Sequence, residues 1–481
     1  MNLIQQLDNM FNPRSVAVIG ASNTLGKWGY NILSLLLADK SREIYSVNRN
    51  EAEVLGRKAY HSIAAVPDNV DLAIITVPFK DVPAAMEDCV QKGVKAAVII
   101  SGGLAETDEE GAKIERQVAE IGRCGGVRFI GPNCMGYFNT SSGINTVIFL
   151  PPVRKGSVAL ISQSGNSGQS IISSGSEMGL GFSKYVSSGN EADLRFEDYL
   201  EYMAQDDDTK VILGYVEGFR EGRRFFELAK EITKIKPIVI VKAGRTQDGA
   251  RAALSHTAAL AGSDRISDAV FRQAGVIRVE EIDELIDVSL LLLGQPLPRG
   301  RRVGVLSIGG GMAVMAADAI TRHGMELASF SPSTIEKLNS LLSRRWSHGN
   351  PVDIGGDRFN YGCVGALIED ENVDAVLLIS PTATRSFVDW FAVYAPWITD
   401  LDKLRKMAED QDMKELVKVK EMMIKYGKPV IFCSMGIAVV RQGEVYRYVE
   451  QNYLVPFATP HRAAKALARF IEYSEYLRLS R

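Results

Sequence analysis

The stretch VAVIGASNTLGKWG, residues 16–29, passes from a short apolar segment rich in β-branched residues into a glycine turn. This order is typical of a buried parallel strand, a tight loop and the first turn of a helix. The same order recurs in SVALISQSGNSGQS, residues 157–170, and in RVGVLSIGGGMAVMAADAI, residues 302–320. The recurrence indicates three α/β units that follow one another along the chain.

Each copy of the pattern opens its own series of apolar strands, such as DLAIITVP in the first, KVILGYVEGF in the second and VDAVLLISP in the third. Strands that alternate with helical segments favour βαβ units and parallel sheets. Stretches rich in proline, glycine and arginine separate the series. The sequence therefore predicts three doubly wound α/β domains, residues 1–149, 150–296 and 297–481. Residues 385–426 are longer and more charged than the other connections, and we expect helices there.

The overall composition excludes several classes of protein. The chain has 481 residues, a net charge of -3 and 46% hydrophobic residues, which is ordinary for a soluble protein with several cores. The charge argues against a nucleic-acid-binding protein, and no apolar run approaches the roughly 20 residues needed to cross a membrane. The N-terminus lacks a signal pattern, and the five cysteines are scattered without a CxxC motif. We therefore expect a cytoplasmic protein with reduced thiols and no metal site.

The first glycine turn has the features of a phosphate-binding loop. Backbone N–H groups at a helix N-terminus favour an anion, and Gly20 and Gly26 let it come close. The turn is not a Walker A loop, which needs Gly in place of Ala21 and Ser or Thr in place of Trp28, and it is not a clean GxGxxG, because Ala21-Ser22 follows Gly20. The second strand ends in Asn48 and Arg49, where a nicotinamide-binding domain carries an acidic residue for the ribose. These two residues suit an adenosine phosphate instead. The alternative is that the glycines only shape a turn.

Short motifs follow one another along the chain in a characteristic order: GAS…GKWG, TVP, SGG, GPNCMG, SQSG, GNEAD, SHTAALAGSD and NPVD. On these motifs the chain resembles the alpha subunit of the NDP-forming acyl-CoA synthetases, the acetate–CoA ligase (ADP-forming) group, which is related to succinyl-CoA synthetase. The resemblance extends from about residue 10 to about residue 470. It implies a CoA-binding Rossmann-like domain followed by two flavodoxin-like domains, in agreement with the three units.

The resemblance implies that the first domain binds CoA at the ends of its parallel strands. The turns TVP and GPNCMG follow later strands, and such strand ends share one ligand crevice with the first glycine turn. We therefore expect residues of these turns and of the second strand end to contact CoA: Gly20, Ser22, Asn23, Gly26, Lys27, Asn48, Arg49, Val77, Pro78 and Asn133.

The resemblance also implies that His256, within SHTAALAGSD, is phosphorylated during turnover. A neutral imidazole can accept and release a phosphoryl group, and Ser255 and Thr257 offer donors for its oxygens. Ala258 stands where the family usually has glycine, which removes no functional group. Glu217, at the end of a predicted strand, matches the family's histidine-orienting glutamate. The alternatives are a structural histidine and a surface glutamate.

Two further places are expected to hold phosphate or the acyl group. Ser164, Gly165 and Asn166 follow the first strand of the second domain, where N–H groups at a helix N-terminus favour an anion. Glu191, in GNEAD, is a second candidate carboxylate, for the acyl site or for the phosphate loop. The alternative for the serine is a helix N-cap beside a turn glycine.

The implied reaction converts acyl-CoA, phosphate and NDP into a carboxylic acid, CoA and NTP through an acyl phosphate and a phosphohistidine. The chain itself shows no segment that accounts for nucleotide phosphorylation. In the family that task, with Mg²⁺ and ADP or ATP, belongs to an ATP-grasp domain. We therefore expect an acid–thiol ligase that acts on a small carboxylic acid with a separate beta subunit, as an α2β2 heterotetramer. The alternatives are a non-catalytic CoA or acyl-CoA sensor of the same fold and an NAD-dependent oxidoreductase.

Overall fold

A computed structural model describes residues 2–480 except 250, 252–263, 355–359, 380–383, 396, 398–399 and 434–442, and it leaves out the side chains of 384–387 and 390. The chain forms two compact units, Met1–Glu177 with Gly181–Ile282 and Met178–Leu180 with Asp283–Arg481. Among the described residues no helix is long and apolar enough to cross a membrane.

The first sheet of the larger unit has seven strands in the order β3-β4-β2-β1-β5-β6-β7, and only the β3–β4 pair is antiparallel among the described strands. Its strands are β1 (Ser15–Ile19), β2 (Glu43–Val47), β3 (Glu53–Val54), β4 (Arg57–Tyr60), β5 (Leu72–Ile75), β6 (Ala96–Ile99) and β7 (Arg128–Ile130). Its helices are α1 (Leu3–Phe11), α2 (Trp28–Ala38), α3 (Val82–Lys92) and α4 (Glu109–Gly125). Every residue of β1 is buried, which explains its continuous apolar sequence. The strand order reverses between β1 and β5, and in such sheets the reversal opens a ligand crevice at the carboxyl ends of the strands.

The second sheet of the larger unit has the strand order β14-β13-β12-β10-β11-β8-β9. Its strands are β8 (Tyr137–Asn139), β9 (Ile144–Asn145), β10 (Lys155–Ser162), β11 (Phe182–Ser187), β12 (Val211–Val216), β13 (Ile238–Lys242) and β14 (Ile277–Val279). Its helices are α5 (Gly165–Glu177), α6 (Phe196–Gln205), α7 (Gly222–Ile232) and α8 (Asp264–Ala274). The antiparallel strands β8 and β9 precede the predicted boundary at residue 149, yet they pair with the second sheet.

The smaller unit contains a parallel sheet of five strands in the order β16-β15-β18-β19, with β17 also paired to β15. Its strands are β15 (Arg302–Ser307), β16 (Glu326–Leu327), β17 (Val352–Asp353), β18 (Ala375–Ile379) and β19 (Val430–Cys433). Its helices are α9 (Ile282–Gly294), α10 (Gly310–Arg322), α11 (Pro332–Leu341), α12 (Tyr361–Glu369), α13 (Thr384–Tyr394), α14 (Leu401–Tyr426), α15 (Glu444–Gln451) and α16 (Pro460–Leu479). The helices α13 and α14 occupy the charged segment 385–426, where the sequence predicts helices.

Candidate functional site

The carboxyl ends of β1, β2, β5 and β6, which we call the first edge, surround a cavity of about 620 Å³. Cavities of about 300–1,000 Å³ are typical of small-molecule and cofactor sites. Most of the residues predicted to contact CoA line this cavity: Gly20, Ser22, Lys27, Asn48, Arg49, Val77 and Pro78. The first edge is therefore a concave site in the place where the sequence predicts CoA.

Close backbone packing shapes the loop after β1. Gly20 has a φ of +93°, and a Cβ at this position would lie 2.7 Å from the Oγ1 atom of Thr76. A Cβ on Gly29 would collide with the carbonyl oxygen of Gly20. The N–H groups of Gly20 and Ala21 donate to the carbonyl oxygen of Val47, over 3.0 and 3.2 Å. The loop is thus held between β2 and β5, and these contacts explain why glycine occupies both positions.

The two residues that follow β2 have different roles. Asn48 donates from Nδ2 to the carbonyl oxygen of Ala21 over 2.7 Å, and its Oδ1 accepts from the N–H groups of Asn50 and Glu51. Its side chain therefore joins two loops of the cavity wall. Arg49 remains 63% exposed and pairs only loosely, at 3.5 Å, with Asp81. Its guanidinium is available for an anionic group in the cavity.

Three residues predicted to contact CoA are not among those that line the cavity. The side-chain amide of Asn23 pairs with Glu51 and also bonds the backbone of Glu53 and Leu55, each over 2.9 Å. Gly26 has a φ of +89° in an open part of the loop. Asn133 donates from Nδ2 to the Oδ1 atom of Asn190 over 3.2 Å. Contacts of these three residues with CoA stay a prediction.

The carboxyl ends of β10, β11, β12 and β13, which we call the second edge, bring the segment before α5 next to Glu217, since the side chain of Gln163 accepts from the N–H of Glu217 over 2.6 Å. Ser164 precedes α5, and its Oγ accepts from the N–H of Ser167 over 3.3 Å, as an N-cap does. A Cβ on Gly165 would collide with the side chain of Met135, and Asn166 is exposed in the first turn of α5.

Glu217 directly follows β12, and its backbone is hydrogen-bonded on both sides. Its N–H donates to the Oε1 atom of Gln163 over 2.6 Å, and its carbonyl oxygen accepts from the Nζ atom of Lys242 over 2.6 Å. Gln163 also accepts from the N–H of Gly218 over 3.1 Å and donates from Nε2 to the carbonyl oxygen of Gly218 over 2.8 Å. The predicted histidine-orienting glutamate thus stands on a firmly held backbone.

Glu191 is a buried carboxyl group, only 3% exposed. Its Oε1 atom accepts from Nε2 of Gln163 over 3.1 Å and from Oγ of Ser188 over 2.8 Å. Burial raises the pKa of Glu191 to about 7, although the hydrogen bonds from Ser188 and Gln163 oppose this rise. A carboxyl group with such a pKa can gain or lose a proton near neutral pH.

His256, Ser255 and Thr257 lie outside the described residues, between β13 and α8 in the chain. Sequence reasoning did not single out Gln163, although it lies inside the quoted motif SQSG. The sequence feature that could have indicated Gln163 is its position directly after β10, where side chains reach the carboxyl edge of the sheet.

Comparisons with known proteins address the identity of the chain. Residues 14–140 match the family described as CoA binding domain, and residues 155–292 match the family described as Succinyl-CoA ligase like flavodoxin domain. The chain is 44% identical over 382 residues to acetate–CoA ligase (ADP-forming) II subunit alpha of Pyrococcus furiosus, which covers 79% of this chain and 83% of that protein. The chain belongs to the ADP-forming acetate–CoA ligases. The predicted family and its acid–thiol ligase class are thereby confirmed.

Two further proteins match nearly the whole length of this acetate–CoA ligase chain. It is 40% identical over 474 residues to acetate–CoA ligase (ADP-forming) I of Archaeoglobus fulgidus, and it spans 64% of the length of that protein. The chain also matches the structure of dinucleotide forming acetyl-coenzyme A synthetase 1 from Ca. Korarchaeum cryptofilum in complex with phosphate and ADP. The TM-score is 0.83, the identity is 31%, and the match covers 98% of each chain. Together with the domain matches, this likeness confirms the predicted fold class.

Proposed function

We propose that this acetate–CoA ligase chain is the alpha subunit of an acyl-CoA synthetase that converts acyl-CoA, ADP and phosphate reversibly into a carboxylic acid, CoA and ATP. The observation that carries the proposal is Glu217, whose backbone is held at the second edge of a unit that also contains the cavity of about 620 Å³. A cavity alone would suit a sensor, whereas a glutamate whose backbone is held at the sheet edge where α5 begins suits phosphoryl transfer.

In the proposed first step an oxygen of inorganic phosphate attacks the thioester carbonyl. The carbon–sulfur bond breaks, CoA leaves as the thiolate, and an acyl phosphate forms. The cavity at the first edge binds CoA, with Lys27 and Arg49 supplying positive charge for its phosphates. Glu191 supports the phosphate loop, because its Oε1 atom accepts from Nε2 of Gln163, the residue before Ser164, over 3.1 Å.

In the proposed second step the imidazole of His256 attacks the phosphorus, and the carboxylate of the product acid leaves. Glu217 orients the imidazole and balances its positive charge. Ser164, Gly165 and Asn166 offer the N-terminus of α5 to the phosphoryl oxygens, with further donors from Ser255 and Thr257. The phosphohistidine then passes its phosphoryl group to ADP.

We place ADP and Mg²⁺ on a separate ATP-grasp beta subunit, in an α2β2 assembly in the cytoplasm. The relative from Pyrococcus furiosus is named as an alpha subunit, and the Archaeoglobus fulgidus relative is longer than this chain. Both observations support a partner that carries the remaining step.

The test is to incubate the purified chain with radiolabelled phosphate and a panel of acyl-CoAs, and to measure acid-labile phosphate on the peptide that contains His256. We expect label that depends on one class of acyl-CoA and is absent in His256→Asn. If the chain alone binds CoA but takes up no label, the same assay is repeated with a co-purified ATP-grasp chain. A lack of label there would overturn the ligase proposal and leave a CoA-binding scaffold.

A further inference from the structure

Two side chains from neighbouring strands hold the backbone of residues 217 and 218 at the second edge. The side chain of Gln163, after β10, bonds the N–H groups of both residues and the carbonyl oxygen of Gly218 over 2.6, 3.1 and 2.8 Å. The Nζ atom of Lys242, at the end of β13, donates to the carbonyl oxygen of Glu217 over 2.6 Å. Because β12 lies between β10 and β13 in the sheet, the two side chains reach it from opposite sides.

Both side chains are fixed by their surroundings. The amide of Gln163 uses both donor hydrogens, one to Gly218 and one to Glu191, and it accepts two N–H groups at Oε1. Lys242 is only 8% exposed, and this burial lowers the pKa of its ammonium group, while Asp264 and Glu217 oppose the shift. Its Nζ atom also donates to the carbonyl oxygen of Ala243 over 2.7 Å. Burial of an ammonium group costs desolvation free energy, and two backbone carbonyls at the second edge offset this cost.

We propose that Gln163 and Lys242 are positioning residues of the phosphoryl-transfer step, and that they act by holding the backbone of Glu217 so that its carboxylate meets the histidine in one orientation. This inference rests on the proposed function. A displacement of about 1 Å in a reacting group can cost about 10²-fold in rate. Neither residue needs to touch the substrate to have such an effect.

The test uses the full chain and the variants Gln163→Met and Lys242→Met, which remove the hydrogen bonds at nearly constant side-chain volume. We expect each to lower the maximal rate of phosphate incorporation at His256 by about 10- to 100-fold, with the KM for acyl-CoA unchanged. When Gln163→Met is added to Glu217→Gln, the labelling rate should fall by less than about twofold further. The rate losses are not additive, because Gln163 acts through the Glu217 carboxylate, which is already absent. Fully additive losses, or a rise in KM alone, would overturn the inference.

The matched control is Thr233→Val. Thr233 is fully buried and donates to the carbonyl oxygen of Ala274 over 2.6 Å, before β13 and thus away from the second edge. This variant should lose stability comparable to Gln163→Met and keep the labelling rate. Equal rate losses in Thr233→Val and Gln163→Met would mean that general stability, not position, controls the rate.

Amide hydrogen exchange separates failure of this inference from failure of the proposed function. Gln163→Met should speed exchange in the peptide that contains Glu217 and Gly218, whether or not the protein accepts phosphate. A wild type that takes up no label even with a co-purified ATP-grasp chain overturns the proposed function. Unchanged exchange in the variant overturns the inference that Gln163 holds the backbone of Glu217 and Gly218. A labelled wild type with an equally labelled variant overturns the positioning role alone.

Discussion

The first and second edges of the larger unit are built in opposite ways. The first edge surrounds an open cavity whose wall combines tight glycine turns with exposed cations such as Arg49. At the second edge, hydrogen bonds join Gln163, Glu191 and Ser188 to one another and to the backbone after β12. The first edge is suited to receive a large ligand through many contacts, whereas the second is suited to hold a few groups in fixed positions.

The difference predicts how each edge responds to mutation. Binding through many contacts loses affinity gradually, because each contact contributes a small part of the free energy. A reaction that depends on orientation loses rate steeply when one group moves. Variants at the two edges should therefore separate CoA affinity from phosphoryl transfer.

The largest effect is expected for Glu217→Gln, at the second edge. Loss of the carboxylate should lower the rate of phosphate incorporation at His256 by about 10²- to 10⁴-fold, and the Kd for CoA should stay unchanged. Rapid-quench labelling and calorimetric titration with CoA measure the two quantities. Glu231→Gln, an exposed position on α7, is the control. Labelling as fast as in the wild type would remove Glu217 from the mechanism.

At the first edge, Gly20→Ala should weaken CoA binding by about tenfold, or about 1.4 kcal/mol. The added Cβ would lie 2.7 Å from Oγ1 of Thr76 at a φ of +93°, so the loop must shift away from the cavity. Calorimetry measures the Kd for CoA. A Cβ on Gly222 meets no atom within 4 Å, so Gly222→Ala should bind CoA normally. An unchanged Kd in Gly20→Ala would place CoA elsewhere.

A smaller effect is expected for Arg49→Met, which removes an exposed charge from the cavity wall. The affinity for CoA should fall by about 3- to 10-fold at low ionic strength and by less at high salt, because salt screens exposed charges. Titrations at two salt concentrations measure this, with the exposed Arg223→Met as control. A loss that is the same at both concentrations would argue against a phosphate contact.

The smallest effect, a change in pH dependence alone, is expected for Glu191→Gln. The pKa of Glu191 is raised to about 7 in the folded protein, and it is about 4.3 in an unfolded chain. Between these two values the folded state binds more protons than the unfolded state. The contribution of Glu191 to the free energy of unfolding is therefore complete below about pH 4 and is lost as the pH rises to about 7. As the pH rises through this window, the melting temperature of the wild type should fall relative to that of Glu191→Gln. Parallel curves of melting temperature against pH for the two proteins would contradict the buried protonated carboxyl group.

Local pattern predicts most of the fold and part of the site. Gly20, Ser22 and Lys27 line the cavity because the ends of parallel strands meet at one edge, a rule that sequence can use. The side chain of Asn23 instead turns toward β3 and bonds Glu53, thirty positions away in the chain. No local pattern encodes that choice, because it depends on which loop packs beside the glycine turn.

The sequence by itself determines the three strand–loop–helix repeats, because burial on both faces of a parallel strand demands a continuous apolar run. Only the tertiary structure decides which polar side chains meet at the strand ends. Gln163 reaches Glu217 across 54 positions, and Lys242 reaches it across 25, because the strand order sets β10 and β13 on either side of β12. The order of strands in the sheet, which a sequence pattern does not state, therefore assembles the second edge.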